Sequence, residues 1–222
     1  MLARFSASDF ASLEPHLTSI KLPLRKPLER PQKPIEYVYF PNSGFASVTA
    51  NRAGHCIEFG LIGREGMTGL AVVLGTDRTP HETFIQYAGT GQRITAAHFR
   101  DALDKSRTLQ KCCLLYAHAF AIQMSYTAIA NGSKKIEERL ARWILMARDR
   151  VDSDELELTH EFLSMMLGVR RAGVTVAMHL LVKAALIQAR RGIITIIDRE
   201  GLEKLSNGAY GVPEAEFERL FG

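Results

Sequence analysis

Between Phe162 and Ile197 the chain carries Arg170, Arg171, Lys183, Arg190 and Arg191, and not one Asp or Glu. Five cations without a carboxylate among them suit an anionic polymer. A guanidinium can donate two hydrogen bonds to the major-groove edge of guanine, and Lys or Arg can neutralise phosphates without reading sequence. A solvated basic face on a helical hairpin is the plainer reading, and the order of the surrounding parts argues against it. Other chemistry finds less support. His55 has no His-x-His partner, and His81 and His98 stand alone, so no metal site is expected. Cys56, Cys112 and Cys113 include no Cys-x-x-Cys, and an odd count with two adjacent thiols points to a reducing compartment. No nucleophile–base arrangement and no paired carboxylates stand out, so the expectation is a protein that is not an enzyme.

The basic residues must be positioned by elements that the same stretch predicts. Leu158–Leu167 reads as a helix with Thr159 as its N-cap, followed by Gly168, suited to the positive φ of a tight turn between helices. A second helix is predicted from Arg170 to Ala184. Small Ser164 falls where two crossing helices approach, and Val174, six residues past Gly168, where an apolar residue must face the first helix. Leu186–Ala189 and Ile193–Ile197 then read as two strands joined through Arg190-Arg191-Gly192, a wing. This pattern predicts a winged helix-turn-helix in which Arg170, Arg171, Gly173, Thr175 and Lys183 on the second helix face double-stranded DNA, with Arg190 and Arg191 at the wing touching phosphates.

Upstream the texture is different. With 222 residues, 46% of them hydrophobic, and a net charge of +4, the chain is an ordinary globular sequence whose mild basicity permits nucleic acid without demanding it. Before about residue 98, Tyr37–Phe40, Phe45–Thr49, Ile57–Ile62 and Thr83–Tyr87 read as strands, with Pro41–Gly44 and Asn51–Gly54 as turns between them. A short amphipathic helix is expected around Ser8–Leu17. From Ala96 to Ala130 there is neither Pro nor Gly. A long helix is expected there, with Leu109, Cys113, Tyr116 and Phe120 as an a/d seam that either packs on its own barrel or pairs with a second copy; its length favours the second. Asn131-Gly132-Ser133 reads as a hinge, with Ser133 capping the next helix. The longest apolar stretch, Cys112–Ile122, is too short to cross a bilayer, and the N-terminus lacks the pattern of a signal peptide, so a cytoplasmic protein without membrane contact is expected.

Glu161–Ile197, taken with the order of parts over nearly the whole chain, resembles the Crp/Fnr family of bacterial transcription regulators. The resemblance implies an α+β chain in three parts: residues 1–98, an N-terminal β-roll of jelly-roll type related to cyclic-nucleotide-binding domains; 99–132, a long dimerisation helix and hinge; 133–222, a C-terminal winged helix-turn-helix DNA-binding domain. It also implies a homodimer and contact with RNA polymerase. Arg171 matches a base-reading arginine of the family, while Ala172 stands where Glu is common and Val176 where a later arginine falls. For the effector, Gly63, Glu65, Gly66, Arg78 and Thr79 match the family's phosphate-binding cassette in part. Pro80 has no amide donor, Asp77 adjoins the arginine and the interval is lengthened, each of which weakens a cyclic-nucleotide site. A roll that keeps the fold without the nucleotide is the favoured expectation, with the cofactor left open. The rival reading is a sensory module acting on a protein partner without specific DNA binding; an enzymatic cupin is a distant third.

Overall fold

The computed structural model describes residues 1–52 and 55–222, the side chains of Arg52 and His55 excepted. The β-branched and aromatic runs of the N-terminal part pair into two antiparallel sheets. One holds β1 (Thr18–Leu22), β7 (Gly89–Thr95) and β3 (Tyr37–Pro41), in that order. The other holds β2 (Pro27–Glu29), β6 (Glu82–Tyr87), β4 (Phe45–Arg52) and β5 (His55–Ile62). The four expected strands are therefore present, whereas β1, β2 and β7 lack the alternation that would have revealed them. The Pro41–Gly44 turn is present, with Gly44 at φ 71° and the amides of Asn42 and Ser43 donating to the Thr90 carbonyl. Most of the Asn51–Gly54 turn lies outside the described residues.

Leu22, Val38, Phe40, Ile85 and Ile94 fill the core between the sheets, edge-to-face aromatic contacts joining Phe5, Phe40 and Phe99. A short α1 (Ala7–Leu13), capped by Ser6, precedes the sheets, and α2 (Leu70–Val73) links β5 to β6. The Pro- and Gly-free stretch folds as two helices: α3 (Ala96–Lys105) and α4 (Arg107–Ser133). The break falls at Ser106, whose hydroxyl leaves the helix path to accept from the Leu109 amide as the cap of α4. The expected hinge also moves. Asn131-Gly132-Ser133 continues α4, the Ser133 hydroxyl donates to the Ile129 carbonyl, and Lys135 stands at the N-cap position of the following α5 (Ile136–Arg148), its backbone amide donating to the Glu138 carboxylate.

The Leu109, Cys113, Tyr116, Phe120 seam, expected to pair with a second copy, is instead taken up in the core of its own chain. These four side chains are 0%, 0%, 3% and 5% exposed within their own chain, packed on the β-roll. Gly60 of β5 explains the close approach, because a Cβ there would meet the Phe120 ring at 2.5 Å. One helical step further, the Gln123 carboxamide accepts from the Leu61 amide at 2.7 Å and donates to the Leu61 carbonyl, so α4 lies along β5. The face of α4 left open carries Leu114, Ala121, Ala128 and Ile129, with Leu115 and Ile122 half-buried. α4 contains an 18-residue window with the length and composition of a membrane span, longer than the Cys112–Ile122 stretch alone suggested, and 28% of that window is buried in the chain.

The C-terminal part has a second core around Leu140, Trp143, Ile144, Leu163, Val174 and Leu181, which Phe45 and Leu61 of the roll also enter. Around it stand β8 (Glu155–Glu157), α6 (His160–Leu167), α7 (Arg171–Lys183), β9 (Ile187–Arg190), β10 (Ile193–Ile196), α8 (Arg199–Leu205) and α9 (Val212–Phe221). The strands form one sheet in the order β8-β10-β9. β8 is a third wing strand that its short acidic sequence, Glu155-Leu156-Glu157, did not announce.

Candidate nucleic-acid interface

Thr159 caps α6 by accepting from the Phe162 amide at 3.2 Å, and Gly168 ends the helix at φ 61°, ψ 36°. That left-handed residue lets the chain turn sharply; the axes of α6 and α7 differ by 106°. A helix-turn-helix crosses at roughly 90–120°. Val174 is fully buried between α6 and α5, as the spacing required. The Ser164 hydroxyl donates back to the Glu161 carbonyl within α6.

Arg170 is the N-cap of α7 and Arg171 its first residue, both exposed. Lys183 is exposed in the last turn. Arg190 ends β9, and Arg191 and Gly192 form the two-residue turn to β10, with φ of 47° and 83°. Positive φ at both turn positions is the type I′ geometry that matches strand twist, and it lifts Arg190 and Arg191 to an exposed tip. Among the described residues, none of these five cations pairs with a carboxylate. Two other expected residues are placed differently. Gly173 faces inward, since a Cβ there would stand 3.0 Å from Ile136 of α5. Thr175 is half-buried, its hydroxyl donating to the Arg171 carbonyl and lying 3.1 Å from Nδ1 of His160. Neither offers a free group to a base.

The cassette residues do not converge. The Glu65 carboxylate accepts from the Gly63 amide and pairs with the buried Arg150 guanidinium at 2.8 Å. Gly66 abuts the Tyr116 hydroxyl, where a side chain has no room. Glu65 lines a cavity of about 710 Å³ that Phe40, Tyr116, Phe120, Arg150 and Phe217 also bound, and Arg78 and Thr79 are not among its walls. Arg78 instead pairs with its neighbour Asp77 on an exposed loop. The Thr79 carbonyl accepts from the Gln32 amide, and its hydroxyl from the His81 amide. Arg78 and Thr79 are thus separated from the carboxylate with which the cassette would pair them.

Sequence reasoning missed the groups that join the two cores. Glu58 of β5 is 5% exposed, accepts from the Ser47 hydroxyl, and accepts from the Trp143 indole N–H of α5 at 2.6 Å. Burial is the largest influence and pushes its carboxyl up to about 7, against the opposing hydrogen bonds and the charges of Arg142 and Arg150. Arg139 donates to the Leu167 carbonyl, and Ile57 of β5 lies under Gly168 at the turn of the helix-turn-helix. A glutamate within Ile57-Glu58-Phe59-Gly60-Leu61 and the one tryptophan of the chain were the available signals. Among the described residues, no three His, Cys, Asp or Glu side chains come together as a metal site.

Residues 138–205 match the sequence profile of the Crp-like helix-turn-helix domain. A comparison with curated protein sequences returned no match. The chain is similar in structure to a putative transcriptional regulator of the Crp/Fnr family from Eubacterium rectale, at TM-score 0.73 and 16% identity, over 93% of this chain and 97% of that one. It is similar to FixK2 from Bradyrhizobium japonicum at TM-score 0.73 and 14% identity, over 85% and 96%. A CRP-family transcriptional regulator from Thermus thermophilus aligns at TM-score 0.71 and 13% identity, over 86% and 98%. The α+β chain thus has the fold of the Crp/Fnr regulators, with a Crp-like helix-turn-helix as its C-terminal part.

Proposed function

We propose that this protein is a transcription regulator that binds double-stranded DNA sequence-specifically as a homodimer. The observation that carries the reading is the helix-turn-helix and wing, whose exposed cations lie in an acid-free run. Arg171 at the first turn of α7 is assigned to a base edge, most simply guanine; Arg170, Lys183, Arg190 and Arg191 are assigned to phosphates. Residues 1–98 act as a sensory roll, 99–132 as the dimerising segment, and 133–222 as the DNA-binding part. Such a regulator acts in the cytoplasm, where bacterial chromosomes lie, and by resemblance touches RNA polymerase.

The dimer is assigned to the open face of α4. Leu115, Ile122 and Ile129 recur every seven residues, flanked by Leu114, Ala121 and Ala128, a heptad stripe that a second α4 would cover. Two copies would present two α7 helices to half-sites about one helical turn apart. The test compares Arg171→Ala with Arg191→Ala by fluorescence anisotropy on a selected operator and a scrambled duplex across a salt series. Arg171→Ala is expected to cost roughly 1–3 kcal/mol on the operator alone. Arg191→Ala is expected to weaken both duplexes and lower the salt slope by about one. Equal loss on both duplexes for Arg171→Ala removes it from base reading, and no binding above scrambled DNA refutes the function.

A further inference from the structure

The outward face of α7 carries Arg171, Ala172, Val176, His179, Leu180 and Lys183, all exposed, while Val174, Ala177, Met178 and Leu181 are buried beneath. Ala172, Val176 and Leu180 are spaced by four and form an apolar row beside Arg171, with Val176 62% and Leu180 46% exposed. Valine is a weaker helix former than alanine or arginine, so helix stability does not account for its place on an open face. Through the first two turns the face has no carboxylate and no amide side chain, and the one hydroxyl, Thr175, is bonded to the Arg171 carbonyl. His179, which can accept when neutral, stands further along the helix, away from Arg171.

Adenine N6 and cytosine N4 are donors in the major groove and need an acceptor opposite them; guanine offers N7 and O6 acceptors, and thymine a methyl group. The forward end of α7 supplies a donor and methyls only. Resting on the DNA-binding reading above, we propose that each half-site is read as a guanine by Arg171 with thymine beside it, Val176 seated on the thymine C5-methyl and Ala172 leaving room for a neighbouring one. Val176 lies about 7.5 Å along the helix from Arg171, at about 1.5 Å per residue. That spans about two base-pair steps at about 3.4 Å each.

The experiment selects bound duplexes from a random pool with the full chain and locates the guanine that loses preference in Arg171→Ala. Each thymine near it is then replaced singly by dU, which deletes only the methyl, and titrated against wild type and Val176→Ala. One thymine about two steps from the guanine is expected to lose about fourfold in affinity as dU with wild type, the transfer value of one buried methyl. Val176→Ala is expected to bind the dT and dU duplexes alike. A G·C pair selected at that step, or a dU replacement without effect on wild type, overturns the inference while leaving DNA binding intact. A pool with no enriched sequence overturns the DNA-binding reading itself.

Discussion

Replacing Glu58 by Gln tests whether the junction between the roll and the C-terminal part is built around a carboxyl group that folding keeps protonated. The carboxyl rises from 4.5 to about 7 in the folded chain, and burial is the cause. The native state therefore holds a proton that the unfolded chain releases between those two values. Stability from this group is fully present below about 4.5 and is lost as pH rises through about 7. The interval is about 2.5 pH units at about 1.4 kcal/mol each, so the wild type should lose about 3 kcal/mol between pH 4 and pH 8 from Glu58. In Glu58→Gln the amide oxygen can still accept from the Trp143 indole and the amide nitrogen can donate to the Ser47 hydroxyl, so both hydrogen bonds persist without a titrating group. Glu29 is also pushed upward by burial, and subtracting the two proteins' curves removes its contribution. Urea unfolding followed by Trp143 fluorescence at half-unit steps of pH gives the curves. The variant should be the more stable protein at pH 8 and show a flatter profile. Parallel curves for the two proteins, with a constant offset, would show that Glu58 is ionised in the folded state and that the reasoning is wrong.

Ile122→Asp on the open face of α4 should give monomers in sedimentation with unfolding midpoints near wild type, whereas Tyr116→Asp should unfold the chain by placing a charge in its own core. A wild type that is monomeric at micromolar concentration refutes the dimer seam. Gly168→Ala should cost about 1–2 kcal/mol in thermal unfolding, because φ is 61° and the added methyl group would stand 3.3 Å from Ile57; an unchanged midpoint refutes the strain. Calorimetry with cyclic AMP should show no micromolar binding, since Arg78 is held by Asp77 apart from Glu65. Tight binding that Arg78→Ala abolishes would overturn that expectation.

The sequence by itself determined the helix-turn-helix and the two-stranded hairpin of its wing. Their signals are local: Thr159 as a cap, Gly168 where φ must be positive, Val174 at the inward position and Gly192 in the type I′ turn. Each of these depends on backbone geometry within a few residues, and so is written in residue type and spacing. The four apolar strands were legible for the same reason, while β1, β2, β7 and β8 form because a neighbouring strand completes their hydrogen bonds. Tertiary structure alone decided which face of α4 is buried. Two apolar stripes share that helix, and Gly60, distant in sequence, lets the Phe120 stripe approach β5 and leaves Leu115, Ile122 and Ile129 outside. It also turned Gly173 and Thr175 away from the groove, set Glu65 on Arg150 instead of beside Arg78, and buried Glu58 against Trp143. Those outcomes depend on which surfaces meet across tens of residues, and local pattern does not encode them.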